Sequence, residues 1–157
     1  MARLYGWGDK SERVLSQVPH GHWKTITFIA ALRCAGLTAP MVLDGPMNRE
    51  SFLAYIQQCL VPTLSPKDIV VMDNLPCHKQ LGVIQAIEAV GANAFYLPPY
   101  SPDFNPIEKA FSKLKTLLRK SAERTVENLW KRIGSLIETY TPTECRNYFQ
   151  SCGYWGV

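Results

Sequence analysis

The run Ile69-Val70-Val71-Met72-Asp73-Asn74-Leu75-Pro76-Cys77-His78-Lys79 decides how the chain is read. Its apolar start has no alternation, as in a strand covered on both faces. Asp73 then falls at the C-terminal edge, where open α/β sheets gather their ligands. Leu81, Ile84, Ile87 and Val90 follow at helical spacing and stop at Gly91. Residues 94–97 are the next strand, closed by Pro98-Pro99. A strand, helix, strand order implies a parallel pair with a right-handed crossover. Asn105 is then an N-cap, Pro106 the first helical residue and Glu108 the third. Ile107, Ala110, Phe111, Leu114, Leu117 and Leu118 form the apolar face of that helix.

Upstream, residues 25–32 are β-branched and apolar and read as a strand. Gly36 marks a turn, and residues 40–43 read as a second strand, antiparallel because the link is short. Asn48 caps a helix whose face is Phe52, Tyr55, Ile56, Cys59 and Leu60, ended by Pro62. Residues 1–23 read as turns and at most a weak hairpin, anchored by Trp7 and Trp23. Downstream, Thr125 caps a helix with the stripe Val126, Leu129, Trp130, Ile133, Leu136, Ile137 and Tyr140. A short helical turn around Cys145, Tyr148 and Phe149 follows Pro142.

At 157 residues the chain is one domain by size. A hydrophobic content of 46% with 19% charged residues excludes a disordered chain. No apolar run approaches the ~18 residues of a membrane helix. The N-terminus lacks the apolar stretch of a signal peptide, so the cytoplasm is the expected compartment. Five cysteines without a CxxC pair argue against zinc and for free thiols. Net charge is +4, yet residues 109–132 hold eight Lys/Arg against two Glu. Such a stripe suits a phosphate backbone, and equally a solvated helix face.

Asp73 and Glu108, with thirty-four residues between them, are candidates to share a divalent metal. Magnesium takes hard oxygen ligands, often one or two carboxylates plus substrate phosphate. Each acid also has a structural role open to it. An Asp after a strand forms turns, and Asn105-x-x-Glu108 has the spacing of a capping box. Cys77 beside His78 has no orienting acid at a known spacing, so a thiol nucleophile is set aside.

The segment ending in Asp73-Asn74 with His78 shortly after, together with Leu97-Pro98-Pro99-Tyr100-Ser101-Pro102-Asp103-Phe104-Asn105-Pro106-Ile107-Glu108, resembles the DDE endonuclease domain of bacterial insertion-sequence transposases. The resemblance is to the insertion-sequence 630 branch of the mariner-like superfamily. Gly6-Trp7, residues 22–25 and residues 43–45 look like earlier landmarks, so the likeness spans nearly the whole chain. It implies an α/β, ribonuclease H-like mixed sheet flanked by helices. It also implies metal-dependent DNA strand cleavage and strand transfer, with DNA (transposon ends and target) as partner and a homo-oligomeric assembly. Asp73 and Glu108 would be catalytic and hold metal, Mg2+ or Mn2+, two ions in the complete enzyme. Asn74, His78 and Asn105 would support the site. Lys109, Lys113, Lys115, Arg119 and Lys120 would contact DNA phosphates. The family's first Asp ends a strand upstream of the Gly-Trp landmark, and Asp9 and Asp44 read instead as turn residues. Residues 1–157 are therefore expected to be a partial catalytic domain, without the first catalytic strand or the N-terminal DNA-binding region. Such a chain would be inactive alone, or be completed by an upstream transposase polypeptide. The rival reading is a non-catalytic DNA-binding or assembly module that acts on full-length transposase. A cellular ribonuclease H-like nuclease fits the Pro-rich segment less well.

Overall fold

The computed structural model describes residues 6–15 and 25–155. Trp23 and, of the landmark at residues 22–25, all but Thr25 lie outside the described residues. Trp7 is 103% exposed and anchors nothing.

Strand β1 (Ile26–Arg33) pairs antiparallel with β2 (Gly36–Asp44), as expected, around a turn at Cys34-Ala35. The register slips between Ile29 and Ala31, where Ala39 and Pro40 together face Ala30. Pro40 has no N–H to give a ladder, so a bulge is where it can sit. β2 is longer than residues 40–43 because the bulge lets pairing resume before the proline.

Strand β3 (Ile69–Met72) pairs parallel with β4 (Asn93–Tyr96), and α2 (Leu81–Glu88) makes the crossover. Gly91 ends the crossover at φ +77°, and a Cβ there would stand 3.3 Å from Cβ of Pro66. Two expectations are corrected here. The buried face of α2 is Val83 and Ile87, while Leu81 is 69% exposed. β3 is not covered on both faces: Met72 is buried, but Ile69 and Val71 are exposed, as is Phe95 of β4. Side chains alternate along a strand, and only the Val70 and Met72 side packs into the core with Ile87 and Phe52.

The mixed sheet also comes in two parts. Among the described residues β1 and β2 form one ladder and β3 and β4 another, with no strand shared between them. Residues of both contribute to one core: Ile29 and Met41 pack against the cluster that holds Phe52, Ile56, Met72, Val83 and Ile87. Arg33 reaches across to Asp68 at 2.6 Å, and that guanidinium with the Ser65 N–H holds the Asp68 carboxyl below its usual range.

Helix α1 (Arg49–Tyr55) starts at Asn48, whose Oδ1 accepts the Ser51 N–H at 2.8 Å. It continues through a π-helical turn, Ile56–Leu60, and a 3-10 turn, Val61–Thr63. Three further helices follow, α3 (Pro106–Ser121), α4 (Val126–Ile137) and α5 (Pro142–Ser151). α3 packs on β1, α4 and α5. Thr125 caps α4 as expected, and α5 is a full helix capped by Thr141. A groove of about 200 Å³ between β1 and α3–α4 is lined by Ile26, Phe28, Phe111, Leu118 and Leu129. No helix among the described residues is long and apolar enough to cross a membrane.

The junction of α3 and α5 is polar at its edge and apolar at its centre. Ala110 and Cys145 are fully buried, and the Tyr140 hydroxyl donates to the Ala110 carbonyl at 2.7 Å. Lys113 Nζ stands 2.6 Å from Glu144 Oε2 and 4.4 Å from the centre of the Tyr140 ring. Burial opposes the Glu144 charge, but hydrogen bonds from Lys113 and Tyr148 outweigh it and hold that carboxyl below its usual range. A depressed carboxylate stabilises the fold above its unfolded value and ceases to as pH falls through the folded one. Glu144→Gln should therefore cost about 1–2 kcal/mol at neutral pH. The gap from the parent should close in urea melts taken below the ordinary carboxylate range of about 4.3.

Candidate active site

Asp73 leaves the end of β3 directly after buried Met72, whose carbonyl accepts the Leu97 N–H at 2.8 Å. That bond sets the Pro98–Glu108 segment beside Asp73. One cleft of about 390 Å³ is lined by Asp73, Asn74, Lys79, Pro99, Tyr100, Asn105 and Glu108, among others. The structure thus brings together both expected acids and both expected asparagines.

Asp73 takes part in two local contacts. Its Oδ1 accepts the Leu75 N–H at 3.3 Å, which is the turn-forming role open to it from sequence. The same Oδ1 lies 2.5 Å from His78 Nδ1. His78 is itself held from three sides. Its N–H donates to the Leu75 carbonyl at 3.0 Å, its carbonyl accepts the Tyr96 hydroxyl at 2.7 Å, and its ring centre lies 4.2 Å from that of buried Phe52. His78 is therefore held in place beside the Asp73 carboxylate. Where a carboxylate ligates a metal, a partner so placed is worth roughly 10–100-fold in metal affinity. His78→Ala should lower manganese affinity by that factor in calorimetry, with Asp73 still present to bind.

Glu108 does not take up the capping role its spacing allows. Asn105 precedes α3 as its cap residue without a side-chain bond to the helix, and its own N–H goes to the Pro102 carbonyl at 2.9 Å. Among the described residues the Glu108 carboxylate has no hydrogen-bond partner, and it is exposed in the cleft. Asn74 presents the complementary oddity: its Oδ1 is buried and without a partner. Two carboxylates are hard donors of the kind Mg2+ and Mn2+ prefer. No cluster of three or more His, Cys, Asp or Glu side chains forms among the described residues. By donor type the two carboxylates that line the cleft fit a divalent cation. Asp9 accepts the Glu12 N–H in a turn and Asp44 ends β2, so neither lines the cleft.

The five expected basic residues part company on α3. Lys113 is paired with Glu144, and Lys109 Nζ donates to Ser151 Oγ at 2.7 Å. Lys115, Arg119 and Lys120 are exposed. Two cleft residues escaped sequence reasoning. Lys79 brings a cation to the same space. Tyr100 lines it too, at φ +57° and 102% exposed, a backbone state that costs a non-glycine residue about 1–3 kcal/mol. The run of prolines around Tyr100 was a visible signal of a rigid loop, but the positive φ was not.

An α/β body thus brings an acid at a strand end and an acid at a helix start to one cleft. The family model of the DDE superfamily endonucleases matches residues 1–130, and the chain belongs to that family. Solved structures share the fold. A Mos1 strand transfer complex matches with a TM-score of 0.73 at 14% identity, over 96% of this chain and 46% of that one. A Mos1 mariner paired end complex with Mn gives 0.73 at 15% identity, over 94% and 46%. The catalytic domain of Mos1 mariner transposase gives 0.59 at 14% identity, over 82% and 73%. This chain thus spans a little under half the length of the transposase chains in the two complexes. No curated protein matches it.

Proposed function

We propose that this chain carries the second and third acids, Asp73 and Glu108, of an insertion-sequence 630-type transposase, and that it acts on transposon-end and target DNA with Mg2+ or Mn2+ held between them. The observation that carries the reading is that these two acids, far apart in sequence, line one cleft, with the Glu108 carboxylate free of any partner among the described residues. The chemistry such a cation supplies when bound is polarisation of a phosphate oxygen and alignment of the attacking and leaving oxygens. The rest falls to the chain's own groups. His78 fixes the Asp73 carboxylate, and Lys79 sets a positive charge beside it for a phosphate.

α3 extends the site. Lys115 and Arg119 lie seven and eleven residues after Glu108, which at 100° per residue returns both to its face of the helix. They stand about 10 and 16 Å farther along the axis. This exposed track of Lys115 and Arg119 fits a DNA backbone leading away from the cleft, whereas Lys120, twelve residues on and about 120° round the helix, falls on the side of Lys109 and Lys113.

Two acids are one short of the three such sites use. The first acid arrives on a strand that pairs with the edges of β1 and β3 left open among the described residues and sets apolar side chains into the groove beside Ile26, Phe28 and Phe111. An upstream transposase polypeptide supplies it in the cytoplasm, and the completed protein works as a homo-oligomer on paired ends. Co-expression with a polypeptide carrying such an Asp-ended strand should give a soluble complex that cuts the element's ends with manganese. Failure to restore either solubility or cleavage, or cleavage by the chain alone, would count against this. The rival, a non-catalytic DNA-binding module that poisons full-length transposase, draws on the absence of a three-group cluster among the described residues. It predicts salt-sensitive DNA binding with no manganese uptake at all.

A further inference from the structure

We infer that Tyr100 is a stacking platform for an unpaired DNA base next to the reacting phosphate; this deepens the DNA-cutting reading above and rests on it. The cleft has two chemically different parts. Asp73, Asn74, Asn105 and Glu108 supply polar groups, while Leu75, Leu97, Pro98, Pro99 and Tyr100 supply an apolar wall. A nucleotide has the same division, with a charged phosphate at one end and a flat apolar face at the other.

Tyr100 is displayed rather than packed. Its side chain is fully exposed, its hydroxyl has no partner among the described residues, and its backbone sits in the left-handed region. A bulky residue in that region persists only where the surroundings impose it. Here they do. Pro98 and Pro99 precede it, and Pro102 opens a 3-10 turn after it. The Ser101 hydroxyl closes back on the Pro99 carbonyl at 3.3 Å, and the Tyr154 hydroxyl of the segment after α5 holds the Phe104 carbonyl at 2.9 Å. A stiff loop therefore holds out an aromatic ring at the cleft that contains both acids. Folding gains nothing from that ring, which buries no area, and glycine would fit the backbone better. Stacking on an aromatic ring suits any base, because each has a π face, so the platform adds affinity without choosing sequence.

The test uses the full chain and a short single-stranded DNA carrying 2-aminopurine, whose fluorescence falls on stacking. Tyr100→Ala should weaken binding roughly tenfold to a hundredfold and abolish the quenching. Tyr100→Phe and Tyr100→Trp should keep both. Tyr100→Gly should lose binding like the alanine variant yet melt no lower than the parent, because it relieves the positive φ. Binding and quenching untouched in Tyr100→Ala would overturn the inference. So would a loss in Tyr100→Phe equal to that in Tyr100→Ala, which would make the hydroxyl the contact. Failure of the carboxylate reading shows separately, as manganese uptake that survives Asp73→Asn.

Discussion

Glu108→Gln should abolish manganese binding at the cleft and leave the fold intact. The carboxylate has no partner among the described residues, so its charge stabilises nothing locally. The first turn of α3 is built from main-chain groups, with the Glu108 N–H on the Asn105 carbonyl at 3.2 Å. Glutamine keeps the volume and helical preference, and an exposed change of this kind stays within about 0.5 kcal/mol of the parent. What disappears is one of two anionic donors. Loss of a direct ligand should exceed the 10–100-fold commanded by a supporting residue such as His78. Calorimetry should therefore show manganese affinity down by more than about a hundredfold, with an unchanged melting curve. Asp73→Ala should do the same to the metal. It also removes the partner of His78 and the acceptor of the Leu75 N–H, so some stability is lost. Equal manganese binding in parent and both variants would mean that these acids only share a surface. In a completed transposase either change should reduce cleavage to background.

Ile87→Ala should be the most destabilising of the conservative substitutions. Ile87 is fully buried on α2, in the cluster with Val83, Met72 and Phe52. Removing three carbons there leaves a void that close-packed neighbours only partly fill, at a cost of about 2–5 kcal/mol. For a chain of this size that is a fall of roughly 5–15 °C in melting temperature. Leu81→Ala on the same helix is the control. Its side chain is 69% exposed, and its truncation should shift the curve little. Because Met72 and Phe52 adjoin the same space, Ile87→Ala should also loosen the support of Asp73 and His78. Hydrogen exchange at residues 72–78 would report that.

The parts of the fold legible in the sequence are those governed by local chemistry. Asn48 and Thr125 cap helices, Gly91 ends a crossover at positive φ, and Pro106 opens α3. Burial was less legible, because it depends on what lies overhead. Nothing local distinguishes Leu81, which is exposed, from Ile87, which is not. The run 69–72 suggested cover on both sides, yet only one side meets the core. At the site, the positions of Asp73 and Glu108 followed from strand end and helix start. The pairing of Lys113 with Glu144 arises between segments and could not be read from spacing; the His78–Asp73 contact and the unused cap at Asn105 are local, but spacing allows them without dictating them.

The divided sheet bears on how the cleft behaves. Asp73 rides on the parallel pair with α2, while Glu108 rides on a helix packed against the antiparallel hairpin. No continuous backbone ladder joins those carriers among the described residues. The gap between the acids is thus maintained by side-chain interlock and the Arg33–Asp68 clasp, which yield more readily than a row of amide bonds. Whatever spans both halves acts as a brace, and its arrival should be felt as slowed amide exchange along β1 and β3 together.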